Sequence, residues 1–516
     1  MDVDKTITQT GAISGTGSVG TLGDGTVVFD AAGPNTFSGG FELGDGATSS
    51  FDGVNQGAIQ GFVVVNRGDH LGTGKVLSRG SQLRAGTPGL VIPNDIDITG
   101  GGFRCGGTIG FELSGNVNPI DNSTRGYGNY GLEGCDLVIS GNITMTSAGT
   151  NVNFEGSNAR DNGTWTVTGD ISGPANVLVQ GAFDDGVVTF AGNNTYTGAT
   201  TVDTGTLVLD GSHTGGGNYT VNTVGRLAGS GSTTSAVTIT GAATLAPGTS
   251  TGTLTTGNLT INGTLEIEAD NNTPGTGHDQ VIANGTVTLG AASQLVLIPG
   301  TGLTLGNLTL IDNDDSGDPV TGTFTGLAEG GSVDSDALGL TATITYAGGG
   351  GDANDVALNF GGYTVLGQWR ADYFGSSANS GPGENSAMAA NGLTNLQSFS
   401  MDLDPTAPAG VLDVDTGAGT ILSLGPPTIW TDPANGRIYL RHTRRTDFAS
   451  IPLTITDQFS RNPGLPFEDS AVAPAVIATG TGDSGAAIEA VETEFPFVLP
   501  ISGGKGRYGR VDVTTP

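Results

Sequence analysis

From the first residues to about Phe360, apolar and polar side chains alternate in short runs broken by Gly, Asn and Asp. Thr206–Asp210 (TLVLD), Tyr219–Asn222 (YTVN), Ala236–Thr240 (AVTIT), Asn258–Asn262 (NLTIN) and Thr286–Leu289 (TVTL) are representative. A period of two with β-branched residues, bounded by turn formers, predicts strand after strand, and no run of helical length and period interrupts them. Strands of ~4–6 residues cannot each bury a face alone, but stacked as coils they share one continuous core. A set of β-sandwiches would also give short strands at regular spacing. The uniform recurrence of Gly-Thr-Leu, Asn-Leu-Thr and Gly-Thr-Val phrases favours a right-handed parallel β-helix. With coils of about 20–25 residues, the repeats amount to roughly 16 coils and a solenoid roughly 75 Å long at ~4.8 Å per strand.

Composition agrees with a turn-rich solenoid. The 516 residues include 91 Gly and 22 Pro, and charged residues make up only 13%. Acidic residues number 50 against 18 basic, a net charge of −32. That balance disfavours nucleic acid and anionic membrane surfaces, which need clustered cations. No run of 18 or more apolar residues exists, so no helix of the chain is expected to span a bilayer. The only two cysteines, Cys105 and Cys135, lie too far apart for a metal finger. They form either a disulfide between neighbouring coils or two small buried thiols.

Particular motifs carry a family resemblance. The stretch Asn193–Leu209 (NNTYTGATTVDTGTLVL) resembles the autotransporter-associated β-strand repeat of bacterial surface and secreted β-helix proteins, and Asn35–Gly40 (NTFSGG) looks like a weaker copy. Leu245–Gly248, Leu310–Asp314, Val320–Gly330, Ile344–Gly348 and Asn354–Val356 resemble the segment that closes such arrays. The resemblance covers about 360 residues and implies a β-helix fold and an extracellular or bacterial cell-surface location. It implies no chemistry. Autotransporters of the family carry a C-terminal membrane barrel, and nothing after Phe360 reads as a set of amphipathic barrel strands. A leader removed on export keeps the secreted reading.

Composition changes near Gly361. Residues 361–516 hold 9 of the 18 basic residues and 13 of the 22 prolines. The domain reading is therefore a β-helix over 1–360, a linker over 361–410 and a small immunoglobulin- or fibronectin-like β-sandwich over 411–516. Strands are predicted at Gly410–Val414, Thr420–Leu424, Arg437–Arg441, Ile451–Ile455, Ala487–Val491 and Tyr508–Val513. The linker's helical candidate lies at Leu393–Phe399. The preceding Asn391–Leu396 (NGLTNL) resembles the exit of calcium loops in dockerin and thrombospondin type 3 repeats. Placing Gly392 at loop position 6 puts Ala387, Ala389, Asn391 and Ser398 at ligand positions, and two methyl groups cannot coordinate calcium. A structural turn into a helix is expected there.

Candidate chemistry is sparse. Asp184 and Asp185 are the closest carboxylate pair for a polysaccharide-cleaving site, in a context where turn residues are the ordinary reading. Asp312, Asp314, Asp315 and Asp318 are candidate ligands of a weak calcium site; no other cofactor is expected. The run Gly348–Asp355 is a single imperfect copy of a calcium nonapeptide, whose roll needs several stacked turns. His70, His213, His278 and His442 stand singly and read as exposed or internally satisfied. Asn-x-Thr triplets at Asn142, Asn162, Asn193, Asn218, Asn258, Asn262 and Asn284 read as turn Asn followed by strand Thr rather than as glycosylation sites.

No amphipathic capping helix precedes the strand-like Thr6–Gln9 and Thr26–Phe29. Thr6, Ile7, Val27, Val28 and Phe29 are thus candidate assembly residues at an open first coil. Arg441, Arg444 and Arg445 form a basic cluster able to meet the acidic solenoid of a neighbour, since residues 1–360 carry 34 acidic and 9 basic groups, a formal charge of −25. The leading expectation is a non-enzymatic structural subunit of a bacterial surface fibre, sheath or layer, a homopolymer joined head to tail. Two alternatives stand beside it. One is a monomeric adhesin that binds surface glycans, which an aromatic stripe on the lateral face would support. The other is a carbohydrate-active β-helix enzyme.

Overall fold

The computed structural model describes residues 5–514 apart from 22–24, 45–60, 80–81, 100–102, 121–126, 129–134, 157–162, 182–185, 223, 301, 314–316, 334–338, 349–352, 376–384, 452, 461–465 and 497–507. The chain divides into two units, the first comprising 1–298, 306–333 and 343–359, the second 299–305, 334–342 and 360–516.

Period-two alternation builds the first unit. In Thr264–Ala269, Leu265, Ile267 and Ala269 are buried while Thr264, Glu266 and Glu268 lie on the outer side. The strand leaves at a turn and re-enters one coil on, where it pairs parallel and in register. Thr206 faces Arg226, which faces Thr244, which faces Thr264, so these coils take 20, 18 and 20 residues. Each full coil adds one strand to each of three faces. The first face has thirteen strands, from Thr6–Gln9 to Val287–Leu289, and the second has ten, from Leu90–Ile92 to Gln294–Pro299. The third is a seven-stranded sheet, Val19–Thr21 to Ile171–Ser172, followed by a nine-stranded sheet that begins at Asn193–Asn194. This is a parallel β-helix. Thirteen strands at ~4.8 Å make the first face roughly 58 Å long, shorter than expected because some coils exceed 20–25 residues. Thr26 and Phe62, for example, are adjacent in register.

Inside, like stacks on like. Val179, Val202, Val221, Ile239, Ile261 and Leu289 form one ladder. Val188, Leu207, Leu227, Leu245 and Leu265 form another, and all of these side chains are buried. At ~1.5–3 kcal/mol for each aliphatic side chain withdrawn from water, the ladders are the main source of cohesion.

The corners explain the glycine excess. Gly115, Gly141, Gly169, Gly192, Gly211 and Gly231 stack in one column, where a Cβ on each from Gly141 onward would strike the carbonyl oxygen of the column glycine one coil before. Beside it, each coil's turn side chain accepts the next coil's backbone N–H. Asn116 N donates to Asp95 Oδ1 (2.9 Å), Asp170 N to Asn142 Oδ1 (3.0 Å) and Asn193 N to Asp170 Oδ1 (2.7 Å). The column satisfies backbone donors that a bare turn would leave to solvent.

The second unit contains two sheets and two helices. Six strands follow the order Asp413–Asp415, Thr420–Ser423, Ala475–Thr481, Ala487–Glu494, Ile438–Arg445 and Thr428–Thr431; three more, Glu468–Asp469, Thr454–Ser460 and Tyr508–Thr514, form an antiparallel sheet. All six anticipated strands are present within a few residues. The pairing of Thr420–Ser423 with Ala475–Thr481 is parallel, and the other pairings are antiparallel.

Residues 361–410 are not a separate linker. Helix α1 (Val365–Phe374) is capped by Thr364 and stopped by Gly375 in the left-handed region, and α2 (Asn395–Met401) starts with a Thr394/Gln397 capping box. Leu366 and Trp369 of α1 pack with Leu396, Phe399 and Ile451. Leu393, Met401 and Leu403 close a second cluster with Leu440, Phe459 and Val511 of both sheets and with Phe495 just past the strand Ala487–Glu494. A polar segment rich in Gly and Ser concealed these few anchors.

Candidate functional site

The solenoid's first face ends at Thr6–Gln9, which among the described residues pairs on one side only, with Thr26–Phe29. Thr26 N donates to Lys5 O and Asp30 N to Gln9 O, so odd-numbered residues of the first strand face the ladder. Alternation then turns the N–H and C=O groups of Thr6 and Thr8 to the edge that no described residue covers. Thr6 and Ile7 are exposed, Ile7 by 54%. Val27, Val28 and Phe29 are corrected by the same geometry. Their strand is interior, paired with Thr6–Gln9 on one side and Phe62–Val65 on the other, and Phe29 packs in the core against Phe41 at 5.4 Å. The second face ends at Gln294–Pro299, which leaves Val296 and Ile298 40% and 43% exposed.

The basic cluster is spent within its own unit. Arg441 pairs with Glu492 at 2.9 Å, Arg444 with Glu489 at 2.6 Å, and Arg445 with Asp402 at 3.0 Å and Asp447 at 2.9 Å. Arg441 and Arg445 are buried, so the cluster offers no free cationic face. The reason is register: Arg441 and Arg444 stand directly opposite Glu492 and Glu489 on the neighbouring strand.

Cys105 and Cys135 are joined in a disulfide with a Cα–Cα distance of 6.3 Å, and both are fully buried. Of the candidate calcium ligands, Asp314 and Asp315 lie outside the described residues, as do Asp184 and Asp185. Asp312 lies on Gly306–Asn313, and the Asp318 carbonyl accepts from Asn313 Nδ2 at 2.7 Å. Among the described residues no three His, Cys, Asp or Glu side chains converge as metal ligands. Asn391 is buried and hydrogen-bonded to Ser398, Asp404 O and Leu393 N, a structural turn as expected.

All four histidines are buried rather than exposed. His70 bonds Phe29 O and Ala31 O, and His213 bonds Tyr196 O while stacked on the Tyr196 ring. Burial lowers the pKa of His213 and of His278. His442 Nε2 lies 2.9 Å from Asp457 Oδ1, and Thr493 Oγ1 donates to the other oxygen of Asp457. Burial opposes ionisation of Asp457, yet its hydrogen bonds and the His442 charge leave its pKa below the ordinary carboxylate value. The group has catalytic residue types, but the His and Asp side chains are each only 1% exposed, which makes it an internal brace.

A depression of ≈ 240 Å³ on the solenoid is lined in part by Arg226, Glu268 and Asp279. Burial pushes Asp279 up to about 6, but its two oxygens accept from Gly252 N at 2.8 Å and Glu268 N at 2.7 Å. It pins two backbone segments together.

Sequence reasoning missed the hairpin Thr428–Thr431 and Ile438–Arg445, which sets Trp430 directly opposite Tyr439. The signal was present in the alternation of TIWT and RIYLR around the turn-forming Asp432–Gly436 (DPANG). No protein-family model, no curated protein and no solved structure matches this chain.

Proposed function

We propose that the chain is a non-enzymatic structural subunit of an extracellular bacterial fibre, sheath or layer, assembling head to tail with copies of itself. The observation that carries this reading is the edge at Thr6–Gln9. Among the described residues no strand covers this edge, which presents ladder-ready backbone groups on Thr6 and Thr8 beside an exposed Ile7. An unpaired edge of this kind is a template for another chain's strand. The exposed apolar strand Gln294–Pro299 supplies an unlike second edge, and unlike ends generate open filaments. The disulfide supports an oxidising location, as does the resemblance of Asn193–Leu209 to bacterial surface repeats.

The test is Thr8→Pro, which removes the more central of the two edge donors while leaving the bonds of Lys5, Ile7 and Gln9 in place, a substitution that edge strands accommodate. Wild-type protein imaged by electron microscopy over a concentration series should form filaments. Thr8→Pro should stay dispersed with an unchanged circular dichroism spectrum. Dispersed wild-type particles at every concentration would overturn the reading.

A further inference from the structure

We infer that the outer surface of the six-stranded sheet in the second unit binds neutral saccharide chains. The site is a depression of ≈ 380 Å³ lined by Thr416, Trp430, Asp432, Tyr439, Arg441 and Glu492 with Val476 and Ile477. Its volume falls in the range of about 300–1,000 Å³ usual for small-ligand sites.

The hairpin pairs Trp430 with Tyr439 at a centroid separation of 5.8 Å. The Arg441 guanidinium lies 3.6 Å above the indole and is held along its Nε–Nη2 edge by Glu492, Nε at 3.0 Å and Nη2 at 2.9 Å. This clamp fixes the indole and covers part of it, leaving the phenol ring and the rest of the indole, half-buried, along the floor. Aromatic rings at an open surface offer an apolar face with a polar rim, the complement of a pyranose ring, which is apolar on its C–H faces and polar around its edge.

The rim has unused hydrogen-bonding capacity. Both Arg441 bonds go to Glu492 Oε2, and Ala434 N at 2.8 Å goes to Asp432 Oδ1. Among the described residues, Glu492 Oε1, Asp432 Oδ2 and the Thr416 hydroxyl therefore remain available as sugar-hydroxyl partners. Charge selects among saccharides. Arg441 is neutralised by Glu492, Asp432 adds one negative charge, and the chain carries −32 overall. Uronates and sulfated sugars are repelled, while neutral hexoses meet carboxylate acceptors without a charge penalty.

The full-length protein would be run by affinity electrophoresis through gels containing hydroxyethyl cellulose, laminarin or polygalacturonate. Retardation is expected in at least one neutral glucan and not in polygalacturonate. Trp430→Ala should weaken it at least tenfold, Trp430→Phe should retain part of it, and Asp432→Asn should weaken it several-fold, all with an unchanged melting temperature. A Trp430→Ala protein of lowered melting temperature would leave Asp432→Asn as the deciding variant. Three results would overturn the site: no retardation in either neutral glucan, retardation that survives both Trp430→Ala and Asp432→Asn, or stronger retention by polygalacturonate. Thr8→Pro should bind like wild type, so the outcome is separate from that of assembly.

Discussion

The two units solve the burial of polar groups in opposite ways. The solenoid satisfies its polar groups one coil at a time, with neutral or singly charged turn residues such as Asn116, Asn142 and Asp170 receiving one backbone N–H each. The second unit buries ionisable side chains and pairs them between elements distant in the chain, as in Arg445 with Asp402 and His442 with Asp457. A stack gains stability by nearest-neighbour increments, whereas a closed core stands or falls together. Damage should therefore stay local in the first unit and spread through the second.

The largest effect is expected at Phe399, buried against Trp369 and beneath the Arg445 guanidinium. Phe399→Ala should cost about 3–5 kcal/mol and lower amide protection across the whole second unit in hydrogen exchange. Loss confined to α2 would break the contrast. Removing the disulfide by Cys105→Ser and Cys135→Ser should cost about 2–4 kcal/mol. Exchange should quicken around Phe103–Gly106 and Leu137–Ile139 and stay unchanged at Thr264–Ala269. Uniform quickening along the solenoid would show that its coils are cooperative over long distances.

The smallest effect is in pH dependence, where one buried aspartate in each unit contributes with opposite sign. The folded pKa of Asp279, about 6, lies above its unfolded value, so the folded state binds the extra proton. Its relative contribution is complete below about pH 4 and declines as pH rises through 6. Asp457 is held below its ordinary value, so its contribution is present above about pH 4 and is lost as pH falls through the folded pKa. Hydrogen exchange at pH 7, 4 and about 2.5 reads both, the interval from 7 to 4 for Asp279 and the interval below 4 for Asp457. The Asp279 component should vanish in Asp279→Asn, and a solenoid slope identical in that variant would remove the assignment.

Much of the solenoid was legible because its cause is local. Alternation in Ala236–Thr240 and Asn258–Asn262 dictates which side chains turn inward, and repetition dictates that they stack. The candidate assembly edge was only half legible. Thr6 and Ile7 lie on the strand that pairs on one side only among the described residues, but Val27, Val28 and Phe29 look just as strand-like in sequence, and only pairing shows that both their edges are filled. The basic cluster misled because Arg441 and Glu492 are 51 positions apart and meet only through strand register.

By itself, then, the sequence determined the strand runs, the turn chemistry and a stacked all-β architecture, since each depends on residues within one coil of each other. The tertiary structure decided which strand edges are paired, which charges are spent, that 361–410 joins a core, and that Trp430 faces Tyr439 beneath a clamped arginine. Those outcomes depend on residues distant in the chain whose contact is fixed by packing and register, and no local period encodes them.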